Sequence, residues 1–470
     1  MDYSRRILWV VLLLGLVARV WMAIATPIAF DEYQWFRVVD TVDLRPSSIH
    51  VPMHGDEHPP GHVYWTAVGT WAFGQNLVGY RFASVVLGTA LILFTFLLAS
   101  DLFDRRTALL AAAFCAANEY LIGGVSRLST EKSYLTFAIL AVILYVRTTR
   151  NPTTRGYALT GLVFGLGTLT KQTLLLWLPV FFIDTLRRRD VRLQWGTIGP
   201  WLATVIFLLA ISPDVYWNLT ASRQPGLSNV GIEYQLSKLG VGEWSWGPTS
   251  LFLRFLVYPL VDPDIHEYPA MSLLPGGILL AGAVLSLFLS RTANARFLQV
   301  LGWGPFLFFS LFGSFPDDYS AFWWSDLSVV PFIILTASVV TVVTARFAAR
   351  TSWLICAGVC VPFAVSAIQI ARTGENAFVS TLLRPPQSAV DRALRRQRFR
   401  FAEYESVDHA AISRVGTWCL PVSRVYVASL RDYLMELDTP NDANPRNPRQ
   451  DEGHKQRMRD QLQRFGTCGS

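Results

Sequence analysis

Long apolar runs alternate with short polar loops along the first 371 residues of the chain. A helix that crosses a membrane needs about 20 mostly apolar residues. The runs that approach this length are residues 7–26, 80–100, 107–124, 132–147, 156–169, 172–186, 197–213, 272–290, 297–313, 327–345 and 352–371. They predict an all-α polytopic membrane protein with a bundle of about 11 transmembrane helices, of which the shorter ones are tilted, broken or sheltered by neighbours.

Arginine residues are concentrated in every second loop of this pattern. These loops carry Arg5 and Arg6, Arg105 and Arg106, Arg147 to Arg155, Arg187 to Arg192, Arg291 and Arg296, and Arg346 and Arg350. The positive-inside rule makes that side cytoplasmic. The N-terminus is therefore expected in the cytoplasm of a multi-pass cell-membrane protein, and an odd number of spans puts the C-terminus on the extracytoplasmic side.

Two of the outer loops are long, at residues 27–79 and 214–271. Each contains an apolar stretch that is too short to cross a membrane, Gly61–Phe73 in the first loop and Ser250–Val261 in the second. Amphipathic segments of this kind lie along the membrane surface, so both stretches are expected to form interfacial helices in the lipid bilayer.

The composition divides the chain into two parts. Residues 372–470 carry 28 charged side chains in 99 positions, whereas residues 1–371 carry 47. This predicts a membrane-embedded domain at 1–371 and a small α/β or partly disordered extracytoplasmic region at 372–470, with a helical run at Asp391–Arg400, a strand at Arg424–Leu430 and a flexible stretch at Thr439–Gln450. A single soluble domain is excluded.

The net charge of +7 does not indicate binding of nucleic acid, because the cations adjoin apolar runs, where they orient the membrane spans.

Two adjacent carboxylates, Asp31 and Glu32, stand at the start of the first outer loop, about five residues beyond the first span. Acidic side chains at a membrane surface are solvated, paired or functional. Because a carboxylate at this place can take a proton from an acceptor hydroxyl or amine, both are candidate catalytic carboxylates. The alternative is a pair of solvated loop residues.

The same loop continues with the sequence Asp56-Glu57-His58-Pro59-Pro60-Gly61. Its two prolines predict a rigid, extended segment that holds His58 in one direction. Four of the seven histidines lie at positions 50, 54, 58 and 62. Their spacing fits one face of a metal-binding helix, but the prolines break such a helix. The favoured interpretation is a set of loop histidines with at most one functional member; a metal site is the alternative.

Three further cations and one acid lie near the outer surface. Arg81 begins the second span, Arg127 and Glu131 lie in the loop 125–131, and Lys171 lies in the turn between two short apolar runs. A lysine at membrane depth is costly unless it is paired or near water, so Lys171 is a candidate for binding an anionic headgroup. Arg127 and Glu131 are four residues apart, and the alternative for them is a local ion pair worth about 0.3 kcal/mol.

The candidate residues all come from separate loops at one interface. A lipid phosphate needs cations there, and a sugar acceptor needs a base. No GxGxxG, Walker A, HExxH or GxSxG sequence occurs in a usable context, so nucleotide-dependent chemistry has no support.

The order and spacing of several short sequences carry a resemblance to a known family. These sequences are Asp31-Glu32, Glu57-His58-Pro59-Pro60-Gly61, Phe73-Gly74, Arg81, Ser126-Arg127 to Glu131, Leu169-Thr170-Lys171 and Pro213 to Asn218. The series resembles the GT-C glycosyltransferases that use polyprenyl-phosphate sugars, and among them the dolichyl-phosphate-mannose protein mannosyltransferase and aminoarabinose transferase group. The resemblance covers residues 1–220 well and the later spans only by hydropathy.

The resemblance implies a GT-C-like fold and an inverting transfer from a polyprenyl-phosphate sugar donor to a lipid, glycan or protein acceptor. It implies that Asp31 is the base, with Glu32 beside it and Glu131 as a second acid near the acceptor. It further implies that the donor phosphate is bound at the position of His58 and by the outer cations Arg81, Arg127 and Lys171. No cofactor is implied, although some relatives use a divalent metal.

Three other interpretations stay open from the sequence alone. One is a transporter or flippase of a lipid-linked or anionic solute, which calls for charged residues near mid-membrane. Another is a polysaccharide polymerase or a membrane transferase with a different donor. The third is a noncatalytic assembly protein whose outer tail binds partners. The identity of the sugar and of the acceptor is not encoded in any motif.

Overall fold

The structure is a computed structural model, and it describes residues 3–25, 39, 61–74, 77–126, 130–221, 273–312, 326–373, 411–415 and 418–422. The helices of these residues are α1 Tyr3–Ala25, α2 Gly61–Phe73, α3 Leu77–Leu102, α4 Arg105–Ala117, α5 Glu119–Ser126, α6 Thr130–Arg150, α7 Thr154–Thr170, a 3-10 helix Gln172–Trp177, α8 Leu178–Arg187, α9 Arg189–Gln194, α10 Ile198–Ala221, α11 Leu273–Leu289, α12 Ala293–Phe312, α13 Asp326–Thr344 and α14 Ala349–Thr373. Two short strands follow, β1 Ala411–Val415 and β2 Trp418–Val422, which pair antiparallel.

Each of the eleven apolar runs contains a helix. Five helices of the described residues are long and apolar enough to cross a membrane, namely Ser4–Ala23, Val78–Leu102, Ile198–Val215, Asp326–Thr344 and Ala349–Ile368. Leu274–Leu289 is a shorter apolar helix. The chain is therefore a helical multi-pass membrane protein, as the sequence predicts, and the number of helices that cross stays a prediction.

Two of the apolar runs are not continuous helices. The run 107–124 is divided between α4 and α5 at Asn118, whose backbone is extended and whose side-chain oxygen accepts a hydrogen bond from the Leu121 N–H at 3.0 Å. The asparagine thus caps α5. The run 172–186 begins as a 3-10 helix and continues as α8, with Pro179 in the first turn of α8. Proline is tolerated there because its missing N–H has no partner within the helix.

Helix α10 is longer than the sequence predicts. The predicted span ends at residue 213, but the helix continues through Pro213 to Ala221. Pro213 has no N–H to donate to the Leu209 carbonyl. The Ser212 hydroxyl donates to that carbonyl instead, at 2.8 Å, and the helix persists. The residues that follow Pro213 are helical up to Ala221, where an outer loop was expected.

The short apolar stretch Gly61–Phe73 is a helix with the predicted bounds. Its end is capped by Gly74, which has a φ of 84° and donates its N–H to the Thr70 carbonyl at 2.8 Å. A positive φ is readily adopted only by glycine. The chain then reverses into α3, and the two helices cross so closely that a Cβ on Gly69 would overlap the Gly79 carbonyl.

The other predicted elements of the long loops and the tail lie outside the described residues. They are the stretch Ser250–Val261, the helical run Asp391–Arg400, the strand Arg424–Leu430 and the flexible stretch Thr439–Gln450. The hairpin of β1 and β2 is an addition that the sequence pattern did not suggest. The division of the chain at 371 and 372 stays a prediction.

The core of the bundle forms around α13. Nearly all of its side chains are buried, and they pack with those of α3, α4, α6 and α12 in one apolar cluster. By contrast, few side chains of α1, α10 and α14 are buried, and many of their large apolar side chains are exposed. This distribution fits helices that surround a central helix and face lipid.

The arginine-rich loops lie together at one end of the bundle, which we call the basic end. It comprises Asp101–Arg106, Arg147–Arg155, Arg187–Trp195, Arg291–Arg296 and Arg346–Ser352. Polar contacts join these segments: Arg147 to Asp101 at 2.7 Å, Asn294 to the Leu102 carbonyl at 2.7 Å, Gln194 to the Thr149 carbonyl at 2.9 Å, and Arg106 to Ser352. The structure thus gathers the loops that the alternation places on one side.

Candidate functional site

Three consecutive residues at the opposite end of the bundle contact three different helices. These residues, Thr170, Lys171 and Gln172, join α7 to the 3-10 helix, and we call them the Lys171 turn. Lys171 has an extended backbone, with φ −156° and ψ 124°. Its N–H donates to the Gly167 carbonyl at 3.0 Å and closes α7. The end of α7 therefore fixes the start of the turn. The side chains of the turn extend from there toward other helices.

Thr170 connects the turn to α2. The Trp65 indole N–H donates to the Thr170 hydroxyl at 3.0 Å, and that hydroxyl donates to the Leu166 carbonyl at 2.9 Å. The first residue of α2 lies close by, because a Cβ on Gly61 would be only 2.7 Å from the Leu169 carbonyl oxygen. The residue at position 61 must therefore be small for the start of α2 to contact the backbone of the turn.

Lys171 itself points toward α6. Its side chain is 5% exposed, and its Nζ lies 5.5 Å from the centre of the Tyr134 ring. An ammonium over the face of a tyrosine ring is attracted by the ring's quadrupole. Tyr134 is fully buried and lies in the second turn of α6. The Lys171 ammonium is therefore largely desolvated, and a cation in such surroundings interacts strongly with an anionic group.

Gln172 connects the turn to α10. Its side-chain amide donates to the Asp214 carboxylate at 2.9 Å, and Asp214 is buried. Asp214 follows Pro213 directly, and it reaches Gln172 because α10 continues past the proline. The Lys171 turn is thus held by α2, by α6 and by α10 at three successive positions.

Arg81 lies at the same end, in the second turn of α3. It is 1% exposed, and its Nη1 donates to the Ala23 carbonyl at 2.8 Å, near the C-terminus of α1. The last carbonyls of a helix have no partner within the helix and carry partial negative charge, which favours a cation there. Arg81 therefore fixes the end of α1 against the start of α3.

Helix α2 packs against the surroundings of both Arg81 and Lys171. This helix packs against α3, which carries Arg81, and its first residue contacts the backbone beside Lys171. Glu131 is the second residue of α6, three residues before Tyr134, so its backbone lies at this end too. We call this part of the bundle the Lys171 end; it comprises Arg81, the Lys171 turn, Asp214 and the first turns of α2 and α6.

The remaining predicted site residues, Asp31, Glu32, His58 and Arg127, lie outside the described residues. In the part of the chain that the structure describes, no group of three or more His, Cys, Asp or Glu side chains could hold a metal ion. Of the four clustered histidines, His62 is described, and it is buried on α2.

The structure adds buried charged residues that the sequence analysis did not single out. Glu119 and Asp326 are fully buried at the first positions of α5 and α13, where the partial positive charge of a helix N-terminus favours a carboxylate. Arg19, in the middle of the first apolar run, is fully buried and donates to the Cys115 and Ala116 carbonyls at 3.3 and 3.4 Å. A charge inside an apolar run was the available signal for Arg19.

Comparison with known proteins gives a family match and a similar curated protein. Residues 57–217 match the family model described as dolichyl-phosphate-mannose-protein mannosyltransferase. A curated relative, the undecaprenyl phosphate-alpha-4-amino-4-deoxy-L-arabinose arabinosyl transferase of Pseudomonas paraeruginosa, is 37% identical over 162 residues. The match spans 32% of this chain and 29% of that relative.

Two solved structures share the fold. One is the crystal structure of ArnT from Cupriavidus metallidurans bound to undecaprenyl phosphate, with a TM-score of 0.54 and 17% identity over 83% of this chain and 74% of that one. The other is the oligosaccharyltransferase of Archaeoglobus fulgidus tethered with an acceptor peptide, with a TM-score of 0.51 and 13% identity over 86% of this chain and 58% of that one. The resemblance seen in the sequence is confirmed.

Proposed function

We propose that this chain, which is related by sequence and by fold to the GT-C group of protein mannosyltransferases and aminoarabinose transferases, is a membrane glycosyltransferase. It moves a sugar from a polyprenyl-phosphate carrier to a lipid, glycan or protein acceptor on the extracytoplasmic face, with inversion. The observation that carries the proposal is the burial of Lys171 and Arg81 at one end of a bundle of apolar helices. A relative named for an undecaprenyl-phosphate sugar supports the donor class.

In this proposal the two buried cations attract the donor phosphate. A lipid phosphate carries negative charge that grows as the bond to the sugar breaks, and preorganised cations in a dry site stabilise that charge strongly. Arg127 and His58 would complete the phosphate-binding set. Lys171 is the strongest candidate, because the contacts of its two neighbours and of its own side chain fix its position.

The acids complete the reaction. Asp31 is proposed as the base that takes the proton of the acceptor hydroxyl or amine while that group attacks the anomeric carbon from the side opposite the phosphate. Glu32 and Glu131 are proposed as additional acids near the acceptor. Covalent connectivity supports His58 as a member of the phosphate-binding set, since His58 precedes Gly61 by only three residues and three residues span at most about 11 Å.

The proposed topology follows the two ends of the bundle. The basic end faces the cytoplasm by the positive-inside rule, so the Lys171 end faces outward. All eleven apolar runs are proposed to cross or enter the membrane, with the N-terminus cytoplasmic. Residues 1–371 form the membrane domain, and residues 372–470 form an extracytoplasmic region.

The test is transfer by the purified protein. Protein in detergent is incubated with a panel of radiolabelled polyprenyl-phosphate sugars and membrane extract, with and without a chelator. We expect at least one donor to yield a labelled product, and the Asp31→Asn variant to bind undecaprenyl phosphate but to transfer about 100-fold more slowly. Loss of transfer in the presence of the chelator would show that a divalent metal takes part.

The proposal fails if no donor of the panel is consumed by protein that is folded and binds undecaprenyl phosphate. It also fails if Asp31→Asn transfers at the wild-type rate. Reconstitution in vesicles separates the transporter alternative, because a flippase moves the labelled lipid between leaflets without breaking the bond between sugar and phosphate.

A further inference from the structure

The hydrogen bond between Gln172 and Asp214 restrains the backbone next to Lys171. Gln172 is the next residue after Lys171, and its amide donates to the Asp214 carboxylate at 2.9 Å. The two residues are 42 positions apart, on the 3-10 helix and on α10. A hydrogen bond of a neutral amide to a buried carboxylate is charge-assisted and therefore stronger than one between neutral groups.

Beyond the hydrogen bond of the Lys171 N–H, the backbone of the Lys171 turn offers little restraint of its own. The Lys171 N–H belongs to the end of α7, whereas its carbonyl accepts a long bond of 3.3 Å from the Leu174 N–H. The 3-10 helix that follows lacks a side-chain cap at Lys171, and 3-10 hydrogen bonds have poorer geometry than α-helical ones. Side-chain contacts on both sides of Lys171 must therefore hold the turn.

Thr170 supplies the restraint on one side, through Trp65 of α2. Gln172 supplies it on the other side, through Asp214 of α10. Asp214 lies within reach of Gln172 because the Ser212 hydroxyl donates to the Leu209 carbonyl and the helix continues beyond Pro213. Two flanking hydrogen bonds to different helices thus restrain the backbone that carries the Lys171 ammonium over the Tyr134 ring.

We infer that Asp214 is a positioning residue for the donor-phosphate site: through Gln172 it fixes the turn that carries Lys171. This inference rests on the proposed function, since it assigns Lys171 to the donor phosphate. Asp214 does not touch the donor; it sets the direction of the cation that does. Releasing the contact leaves the ammonium present but misplaced, which weakens donor binding and slows transfer.

An exchange of side chains of equal size tests the contact. Gln172→Glu alone sets two carboxylates against each other and removes the bond. Asp214→Asn alone keeps an oxygen that accepts from Gln172, so its effect is the smaller one. The double variant Gln172→Glu with Asp214→Asn restores a hydrogen bond, because the asparagine amide now donates to the glutamate carboxylate.

We expect Gln172→Glu to lower kcat/KM for the donor at least tenfold and the double variant to recover most of that loss. The KM for the acceptor should stay unchanged. The control is Gln194→Glu at the basic end, where the amide donates to the Thr149 carbonyl at 2.9 Å. It should lower the thermal unfolding temperature without changing the KM for the donor, which separates positioning from stability.

Wild-type donor kinetics in Gln172→Glu would overturn the inference and leave the proposed function intact. A loss in Gln172→Glu that the double variant does not recover would also overturn it, because the pair would then not be the cause. Absence of transfer by the wild type sinks the proposed function itself, and the inference falls with it. Binding of undecaprenyl phosphate, followed by tryptophan fluorescence, gives a second readout of the same cycle.

Discussion

The two ends of the bundle use the same kinds of charged residue in opposite ways. At the basic end, Arg147 pairs with Asp101 while its side chain stays 51% exposed, and Arg188 pairs with Asp184 and Asp190 in a similar setting. At the Lys171 end, Lys171 and Arg81 are 5% and 1% exposed. Exposed cations orient a membrane protein and contribute little to stability, whereas desolvated cations interact strongly with any anion that enters.

The difference shows which charges deserve a functional interpretation. The number of arginines is larger at the basic end, so abundance alone would favour that end. Burial close to the ends of several helices singles out the cations of the Lys171 end. The following predictions change one end and use the other end, or an open position, as the control.

Removing the lysine charge has the largest expected effect. Lys171→Met keeps the length and the apolar part of the side chain, so the protein should fold. Transfer from the donor should fall about 100-fold, as expected when one group that stabilises developing charge is lost. Arg189→Met, at an exposed position of the basic end, should leave transfer unchanged. Steady-state kinetics with the donor checks both, and equal rates for the two variants would contradict the assignment of Lys171.

Crowding the start of α2 comes next. In Gly61→Ala the new Cβ would be 2.7 Å from the Leu169 carbonyl oxygen, so α2 must move away from the Lys171 turn. Overpacking of this kind costs about 1–3 kcal/mol, and transfer should fall about tenfold.

The control for this change is Gly358→Ala, where nothing lies within 4 Å of the added Cβ. Thermal unfolding and transfer rates are measured for both variants. A Gly61→Ala protein with the stability and activity of the control would mean that the close approach of α2 to the turn has no role.

Changing the ring beneath the ammonium has a smaller expected effect. Tyr134→Leu removes the ring that lies 5.5 Å from the Lys171 Nζ. Without the ring the ammonium loses an attraction of about 1 kcal/mol that holds it in place, and donor binding should weaken by up to roughly fivefold as the cation becomes misplaced. Tyr134→Phe keeps the ring and should be less impaired. Tyr145→Leu near the basic end, where the hydroxyl donates to Asp184 at 2.7 Å, should leave donor affinity unchanged. Binding titrations with undecaprenyl phosphate decide between these outcomes.

The smallest effect is expected at an exposed pair of the basic end. The Arg188 guanidinium donates to the Asp190 carboxylate at 2.8 Å and holds the pKa of that carboxyl below its ordinary value of 3.8. The pair therefore stabilises the protein above pH 3.8 and loses its effect as the pH falls through the lowered pKa. Asp190→Asn should reduce stability at neutral pH by less than about 1 kcal/mol, and the difference from wild type should vanish in acid. Transfer should be unaffected, and thermal unfolding at several pH values is the measurement.

Much of the helical order could be predicted from hydropathy, because apolar runs of this length have few alternatives in a membrane. The interruptions could not. The break at Asn118 depends on a side-chain cap, and the continuation of α10 past Pro213 depends on the Ser212 hydroxyl. Both are local hydrogen bonds that decide between two backbone paths of similar hydropathy.

The site could be predicted in part for a similar reason. Arg81 and Lys171 were visible from the sequence because a charge beside an apolar run is costly. The contacts around them were not, since no sequence pattern connects Trp65, Tyr134 and Asp214 with the Lys171 turn before the helices assemble. Contacts across 105 or 42 positions leave no trace in a single sequence.

The guanidinium of Arg19 has a consequence for how the protein is made. Two of its carbonyl partners, at Cys115 and Ala116, are almost a hundred residues further along the chain. When α1 leaves the ribosome, only the Gly15 carbonyl of its own helix is within reach. The first helix therefore carries an incompletely satisfied charge until α4 has been synthesised, and a charge at the centre of a lone helix costs about 3 kcal/mol of insertion free energy. Stable insertion of the first helix is thereby coupled to the arrival of the fourth, so a ribosome-bound chain that stops before residue 105 should hold α1 less firmly in the bilayer than a chain that includes α4.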